Sequence, residues 1–250
     1  MNKEREGFFF QVETNNGLIT LDFSTKKEIG NGGYGTVYQI QGSMDGKSCK
    51  FALKDYSKGN LSKHKANNAV NAHTALENAG CKILPTYQLL EEGGDQILMT
   101  LHDPDIFFII DGKDTYKDLN LVESPEEEKT EKIENFDNFI ESFFREPVLA
   151  GRSGCKFTQM DIFHFTIDKK DKSKADFWLD DLDLVERPSR TYADNEKLGI
   201  IKKNLYICKE IMHTFLKKEI KGDMKKVYLS ATTEKYNILC NQNENVLLFE

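Results

Sequence analysis

Residues Glu28 to Tyr38 read EIGNGGYGTVY, with four glycines packed into six residues and then a return to β-branched and aromatic residues. Such a run is either a hairpin tip or a loop that lets backbone amides approach phosphate, and glycines alone favour the hairpin. The spacing G-x-G-x-x-G-x-V falls on Gly30, Gly32, Gly35 and Val37. Strand-like residues flank it on both sides, which separates it from the strand-then-helix setting of a dinucleotide fold. The rest of the chain has to decide between the two readings.

Around this stretch the first hundred residues read mainly as strands. Phe8–Thr14 and Leu18–Phe23 flank Asn15-Asn16-Gly17, a hairpin signal. Lys27–Ile29 and Thr36–Gln41 flank the glycines, and a turn at Met44-Asp45-Gly46 leads into Ser48–Leu53. Leu61–Ala79 reads as a helix, with Ala66, Ala69, Val70, Ala72 and Leu76 as its apolar positions and Gly80 as its stop. Strands over Ile83–Leu90 and Gln96–Leu101 follow, then a short hairpin around Ile106–Ile110. From there the pattern turns helical. Ser124-Pro125-Glu126-Glu127 reads as a helix start, and Ile133, Phe136, Ile140, Phe143 and Phe144 recur at helical spacing. Strands at Phe163–Asp168 and Asp176–Asp180 bracket a polar turn, and helices over Asn195–Lys218 and Asp223–Tyr236 precede an apolar tail, Asn245–Phe249. A β-rich front (residues 1–101) and an α-rich back (residues 102–250) make an α+β, two-lobe arrangement.

Composition limits the function classes. The 250 residues carry 34 basic and 41 acidic side chains, a formal charge of −7, which argues against a nucleic-acid partner but leaves a local anion site open. The five cysteines are scattered, with no CxxC pair, and read as reduced thiols of a cytoplasmic-type protein. The start MNKEREGFFF is no secretory signal, and no run approaches the ~18 apolar residues of a membrane span. A soluble protein is expected, with export into a host cell by a route lacking a cleaved signal left open.

Phe51-Ala52-Leu53-Lys54 ends an apolar strand with a lysine, nineteen residues beyond Gly35. Behind a glycine loop that cation can reach phosphates held beneath it. Downstream, Asp161 precedes a short strand, and twenty residues later Asp181 follows the apolar Phe177-Trp178-Leu179. Two hairpin-linked strands that each carry a carboxylate at the mouth can converge on one metal–phosphate unit. Without the front half, a pair of aspartate-rich turns would be the better reading.

With these parts in order, residues 27–215 resemble the protein-kinase-like superfamily: glycine loop, strand lysine after an alanine, helix, hinge, catalytic-loop aspartate and metal aspartate. The resemblance implies a β-rich N-lobe and a reduced helical C-lobe. It implies ATP and Mg²⁺ (or Mn²⁺) as cofactors, with Gly30, Gly32, Gly33, Gly35, Val37, Ala52, Lys54, Met99 and Leu101 around the nucleotide. Asp161 would be the catalytic aspartate beside Lys54, and Asp181 a metal ligand. The departures are specific. Asn71 stands where the helix glutamate is expected, Gln159-Met160-Asp161 replaces His-Arg-Asp, and Thr166 replaces the second metal ligand. Asp181-Leu182-Asp183 replaces Asp-Phe-Gly, so Asp183 could supply the second-metal carboxylate; His164, Asp168 and, in a shifted register, Asp180 are alternatives. The chain looks like a minimal Ser/Thr protein kinase of the kind bacterial pathogens deliver, with a protein substrate and a dependence on a host partner left open. The acidic triplet is similar to lipopolysaccharide sugar kinases, which keeps a sugar acceptor open. The missing glutamate and asparagine keep open a pseudokinase scaffold.

Overall fold

The computed structural model describes residues 9–14, 17–32, 35–56, 62–89, 96–101, 107–111, 129–160, 162–180, 182–187 and 190–246. The chain divides into two compact units. The first is Met1–His73 with Leu84–Asp103, and the second is Thr74–Ile83 with Pro104–Glu250. Mixed α+β architecture, with strands leading and helices following, is the expected class and the observed one.

In the first unit, β1 (Phe9–Thr14), β2 (Gly17–Gly32), β3 (Gly35–Met44), β4 (Lys47–Asp55), β5 (Thr86–Gln88) and β6 (Gln96–Leu101) form one antiparallel sheet in the order β1-β2-β3-β4-β6-β5. The turn between β3 and β4 is one read from sequence. Met44 pairs with Lys47, and Asp45 and Gly46 both take positive φ, 51° and 74°. A two-residue loop with that signature matches the right-handed twist of the strands it joins. Alternation sends Val12, Ile19, Leu21, Ile40, Phe51, Leu53 and Leu98 into one apolar core with Tyr87 and Leu89. Tyr87 Oη donates to Met44 Sδ at 3.2 Å, tying β5 to the β3–β4 turn.

Gly42 and Gly35 are where the sheet needs the absence of a side chain. A Cβ at Gly42 would meet the Thr20 carbonyl and the Phe51 ring, and one at Gly35 would collide with the Asp55 carbonyl and lie 3.2 Å from Tyr56 Cα. Helix α1 (Ser62–Asn78) runs across the sequence boundary of the two units and ends as expected. Gly80 takes φ 78°, and Cys81 N–H reaches back to Leu76 O at 3.0 Å, a glycine-dependent helix stop.

The second unit holds β7 (Phe107–Asp111), α2 (Phe136–Arg152), β8 (Lys156–Phe157), β9 (Phe163–Asp168), β10 (Ala175–Leu179), β11 (Val185–Glu186), α3 (Asp194–Glu219) and α4 (Met224–Val246). Strands β10-β9-β7 form a small antiparallel sheet and β11-β8 a two-stranded one. Phe163, Phe165 and Phe177 lie on one face of the small sheet and meet Phe139 and Phe143 of α2, while Phe165 stacks on Phe215 of α3 at 4.3 Å. Fully buried Asn204 knits α3 to its neighbours. Its carbonyl accepts Phe157 N–H at 2.8 Å and its amide donates to Cys155 O at 2.9 Å. Helices α2 and α3 approach so closely that a Cβ on Gly151 would lie 2.9 Å from Ile201 Cα.

Several expectations need correction. Helix α2 starts at Phe136, so Ile133 is outside it; Ser124–Glu127 lie outside the described residues. Tertiary bonds take the preceding stretch. Thr130 bridges to Ile220, Ile133 N–H donates to Tyr228 Oη at 3.2 Å, and Asn135 is left-handed (φ 53°) at the helix entrance. The strand expected over Ile83–Leu90 is only Thr86–Gln88, because Pro85 has no N–H and Ile83 bridges instead to Leu179. Phe107–Asp111 form β7, which pairs with distant β9; Ile106, Gly112 and the rest of the expected local hairpin lie outside the described residues. Helix α4 runs to Val246, past the expected end at Tyr236 and into the expected tail.

Glu146 is a buried carboxyl of the second unit. It is 4% exposed, and its Oε2 accepts Lys82 N–H at 2.7 Å. Burial pushes its carboxyl above the ordinary range, partly offset by that N–H, the Cys81 thiol and the charges of Arg145 and Lys82. The folded protein therefore binds this proton more tightly than the unfolded chain. On this group's account stability is fully present below the ordinary carboxylate value and is lost as pH rises through the raised one. In Glu146→Gln, which keeps the acceptor for Lys82, the melting temperature relative to wild type is expected to rise with pH from 4 to 7. Parallel melting curves for the two proteins across that range would contradict this.

Candidate functional site

The candidate residues fall into two groups, one in each unit. In the first, strand register decides their arrangement. Gly30 pairs with Val37, Val37 with Lys54 and Lys54 with Ile97. Ala52 pairs with Met99, and Lys50 with Leu101. Residues directly opposite share a face, and residues two apart along a strand do too. Val37, Ala52, Lys54, Met99 and Leu101 therefore lie on one face, with Gly30 in the same row as Lys54. Phe51 and Leu53 fill the opposite face with the apolar core. Ala52 is buried, while Val37, Lys54, Met99 and Leu101 are half-buried. Lys54 Nζ stands 5.4 Å from the centroid of the buried Tyr56 ring, a cation–π contact that steadies a long side chain.

The glycines of the hairpin are not alike. Gly32 pairs with Gly35 at the end of the β2–β3 ladder, and Gly33 and Tyr34 at the tip lie outside the described residues. Gly35 is required by packing against the end of β4, whereas a Cβ at Gly30 would meet only Val37 Cβ at 3.9 Å, ordinary contact. The sequence pattern gave both the same weight. Asn71, where the helix acid was expected, is exposed, and Glu77 is the one acid in α1, also exposed.

In the second unit, Asp161 and Asp181 lie outside the described residues. Their immediate neighbours are placed. Asp180 N–H donates to Ile162 O at 3.1 Å, joining the end of β10 to the start of β9. Asp180 Oδ2 lies 3.1 Å from Nδ1 of His164, a residue 5% exposed. An ionised carboxylate only accepts, so the histidine nitrogen is the donor and fixes this carboxylate's direction. Asp183 sits half-buried in a 3-10 turn, Leu182–Leu184, whose first N–H reaches Asp180 O at 2.9 Å.

The remaining alternatives have other duties. Asp168 Oδ1 accepts Lys170 N–H at 2.7 Å and Asp171 N–H at 3.1 Å, closing the β9–β10 turn. Thr166 is 2% exposed within the small sheet, opposite Asp176, which itself pairs with Lys82. Among the described residues no three His, Cys, Asp or Glu side chains gather as a metal site. A lysine shares its face with a glycine row that leaves room, and an oriented aspartate with a quarter of its side chain exposed adjoins Asp181 in sequence.

One group escaped sequence reasoning. Arg152 and Arg190, distant in the chain, line a common cavity of the second unit, and no motif links them.

No family model matches this sequence, and no curated protein does. Among solved structures, the chain is similar to the Mycobacterium tuberculosis PknI kinase domain. Its C20A_R136A double mutant is 14% identical, with 86% of this chain and 78% of that one covered, at a TM-score of 0.44. The same kinase domain without those substitutions in its description is 16% identical, with 79% and 76% covered, at 0.41. Among the described residues no helix is long and apolar enough to cross a membrane.

Proposed function

We propose that this chain is an ATP- and Mg²⁺-dependent phosphotransferase of a minimal kind, acting on Ser/Thr hydroxyls of a protein. The observation that carries the reading is the shared face of the first unit: Lys54 beside the Gly30–Val37 row, with Ala52, Met99 and Leu101 alongside. Lys54 would hold the α- and β-phosphates, and the backbone of Gly30, Gly32, Gly33 and Gly35 would line them. Met99 and Leu101 would face the adenine. When bound, ATP supplies the transferable γ-phosphoryl group and Mg²⁺ the charge that offsets its oxygens.

Asp161 would orient the acceptor hydroxyl and take its proton as the acceptor oxygen bonds to the γ-phosphorus and the β–γ bridging P–O bond breaks, releasing ADP. Asp181 and Asp183 would be the metal ligands. Support comes from Asp180 and Ile162, which are hydrogen-bonded to each other and adjoin Asp181 and Asp161 in sequence, and from His164, whose Nδ1 lies 3.1 Å from Asp180 Oδ2. Burial of Thr166 favours Asp183 as the second carboxylate.

The test is γ-labelled ATP with Mg²⁺ or Mn²⁺, with the protein alone and with a eukaryotic lysate. Wild type should transfer label to protein, and Asp181→Asn should lower the rate about 10²–10³-fold. Label entering only small molecules or lipopolysaccharide would replace the protein acceptor by a sugar or small-molecule one. No transfer, with ATP still raising the melting temperature, would make the chain a nucleotide-binding scaffold.

A further inference from the structure

We infer that the second unit carries a separate binding site for a phosphate monoester, in the cavity between the end of α2 and the start of α3. The cavity measures about 390 Å³ and is lined by Arg152, Ser153, Arg190, Thr191, Tyr192 and Lys197, with Gly154. Three of these side chains are cations and none is an acid, in a chain whose formal charge is −7. Glu196 offsets Arg190 and Asp194 lies 3.7 Å from Lys197, so the uncompensated charge at the cavity is that of Arg152.

The donors are arranged for an oxyanion. Arg190 is locked by a two-toothed pair with Glu196, Nη1 to Oε2 at 3.0 Å and Nη2 to Oε1 at 2.5 Å, and its guanidinium lies 5.2 Å from the Tyr192 ring. Those bonds and the one to Thr191 O leave Nε–H and one Nη2–H for a ligand. Arg152, exposed at the end of α2, has no ion pair or side-chain hydrogen bond among the described residues, so its whole fork is available. Lys197 Nζ is only loosely engaged, 3.7 Å from Asp194.

The nearby carboxylates do not fill the cavity. Glu196 is consumed by Arg190 and by Ala193 N–H at 2.9 Å, and the Arg190 pair keeps it below the ordinary carboxylate range and therefore ionised. Ser153 is not a donor to the ligand, since its hydroxyl is given to Ala150 O. The open fork of Arg152, the remaining edge of Arg190 and the Lys197 ammonium together offer more donors than one carboxylate can satisfy. A tetrahedral dianion presents oxygens to all three, with the Thr191 and Tyr192 hydroxyls as further donors. The volume leaves room for the group that bears the ester. The site stands apart from the nucleotide reading and is tested without ATP or metal.

The test is a calorimetric titration in chloride buffer at fixed ionic strength with inorganic phosphate, phenyl phosphate, a phosphoserine peptide and its unphosphorylated counterpart. Wild type should bind the phosphorylated ligands saturably, and Arg152→Gln or Lys197→Gln should weaken binding about tenfold or more. Lys226→Gln, on exposed α4 surface, should leave it unchanged. A phosphopeptide tighter than inorganic phosphate identifies an ester-bearing ligand, and equal affinities identify the free ion; both support the site. Binding of the unphosphorylated peptide with equal affinity, no saturation up to tens of millimolar (about the weakest useful affinity), or equal weakening in Lys226→Gln would overturn it. Melting temperatures of the variants separate lost binding from lost folding.

Discussion

Lys54→Met should lower phosphoryl transfer from ATP about 10²–10³-fold while changing stability by no more than about 1 kcal/mol. The two effects separate because the lysine does two different things. Its stem is one rung of the ladder between Val37 and Ile97, and an unbranched methionine fills the same half-buried space. Its ammonium contributes a ring contact with Tyr56, worth little to folding. In the proposed reaction the same charge faces the negative charge that develops on the phosphoryl oxygens, where its loss is worth several kcal/mol of barrier. Rates from labelled ATP and melting curves without nucleotide measure the two separately. Undiminished transfer by this variant would remove Lys54 from the proposed site, and a collapse of the melting temperature would make it a structural lysine.

Gly35→Ala and Gly30→Ala should have opposite consequences, although the sequence motif gives the two glycines equal standing. At Gly35 the new methyl meets the Asp55 carbonyl and approaches Tyr56 Cα to 3.2 Å. Both obstacles are backbone, Asp55 at the paired end of β4 and Tyr56 just after it, and cannot swing aside, so the edge of the β3–β4 ladder must open. The cost should be roughly 3 kcal/mol, a melting-temperature loss on the order of 10 °C. At Gly30 the methyl finds ordinary contact with Val37, and alanine reduces the freedom of the unfolded chain, so stability should be unchanged or rise by up to ~1 kcal/mol. A fall in transfer rate in Gly30→Ala, with stability intact, then reports on the approach of backbone to phosphate. Equal destabilisation by both substitutions would contradict the packing described for β4.

What the sequence made legible was local. Asp45-Gly46 carries its turn type in its own conformational freedom, Gly80 marks the end of α1, and alternation marks Ser48–Leu53 as a strand, whereas only the register brings Val37 to the face of Ala52 and Lys54. What stayed hidden depends on contacts between distant residues. Helix α2 begins at Phe136 because Tyr228 and Ile220, far along the chain, capture the backbone that precedes it. Strand β7 finds its partner in β9 some fifty residues later by numbering, which no turn signal announces. The structural duty of Gly35 is invisible because its obstacle is the backbone of β4 rather than any side chain in the motif. The cationic cavity is hidden for the same reason: Arg152 and Arg190 share no spacing that a motif could encode.

The distribution of cysteines makes the native chain a ready spectroscopic ruler. Cys81, Cys155 and Cys208 are buried, and burial pushes all three thiols up, away from the reactive thiolate. Cys49 in β4 and Cys240 in α4 are half-buried, one in each unit. A nitroxide or fluorescent maleimide therefore labels a natural pair without any engineered cysteine. The dipolar or energy-transfer distance between the two labels, recorded with and without ATP, would give the separation of the two units as a direct measurement.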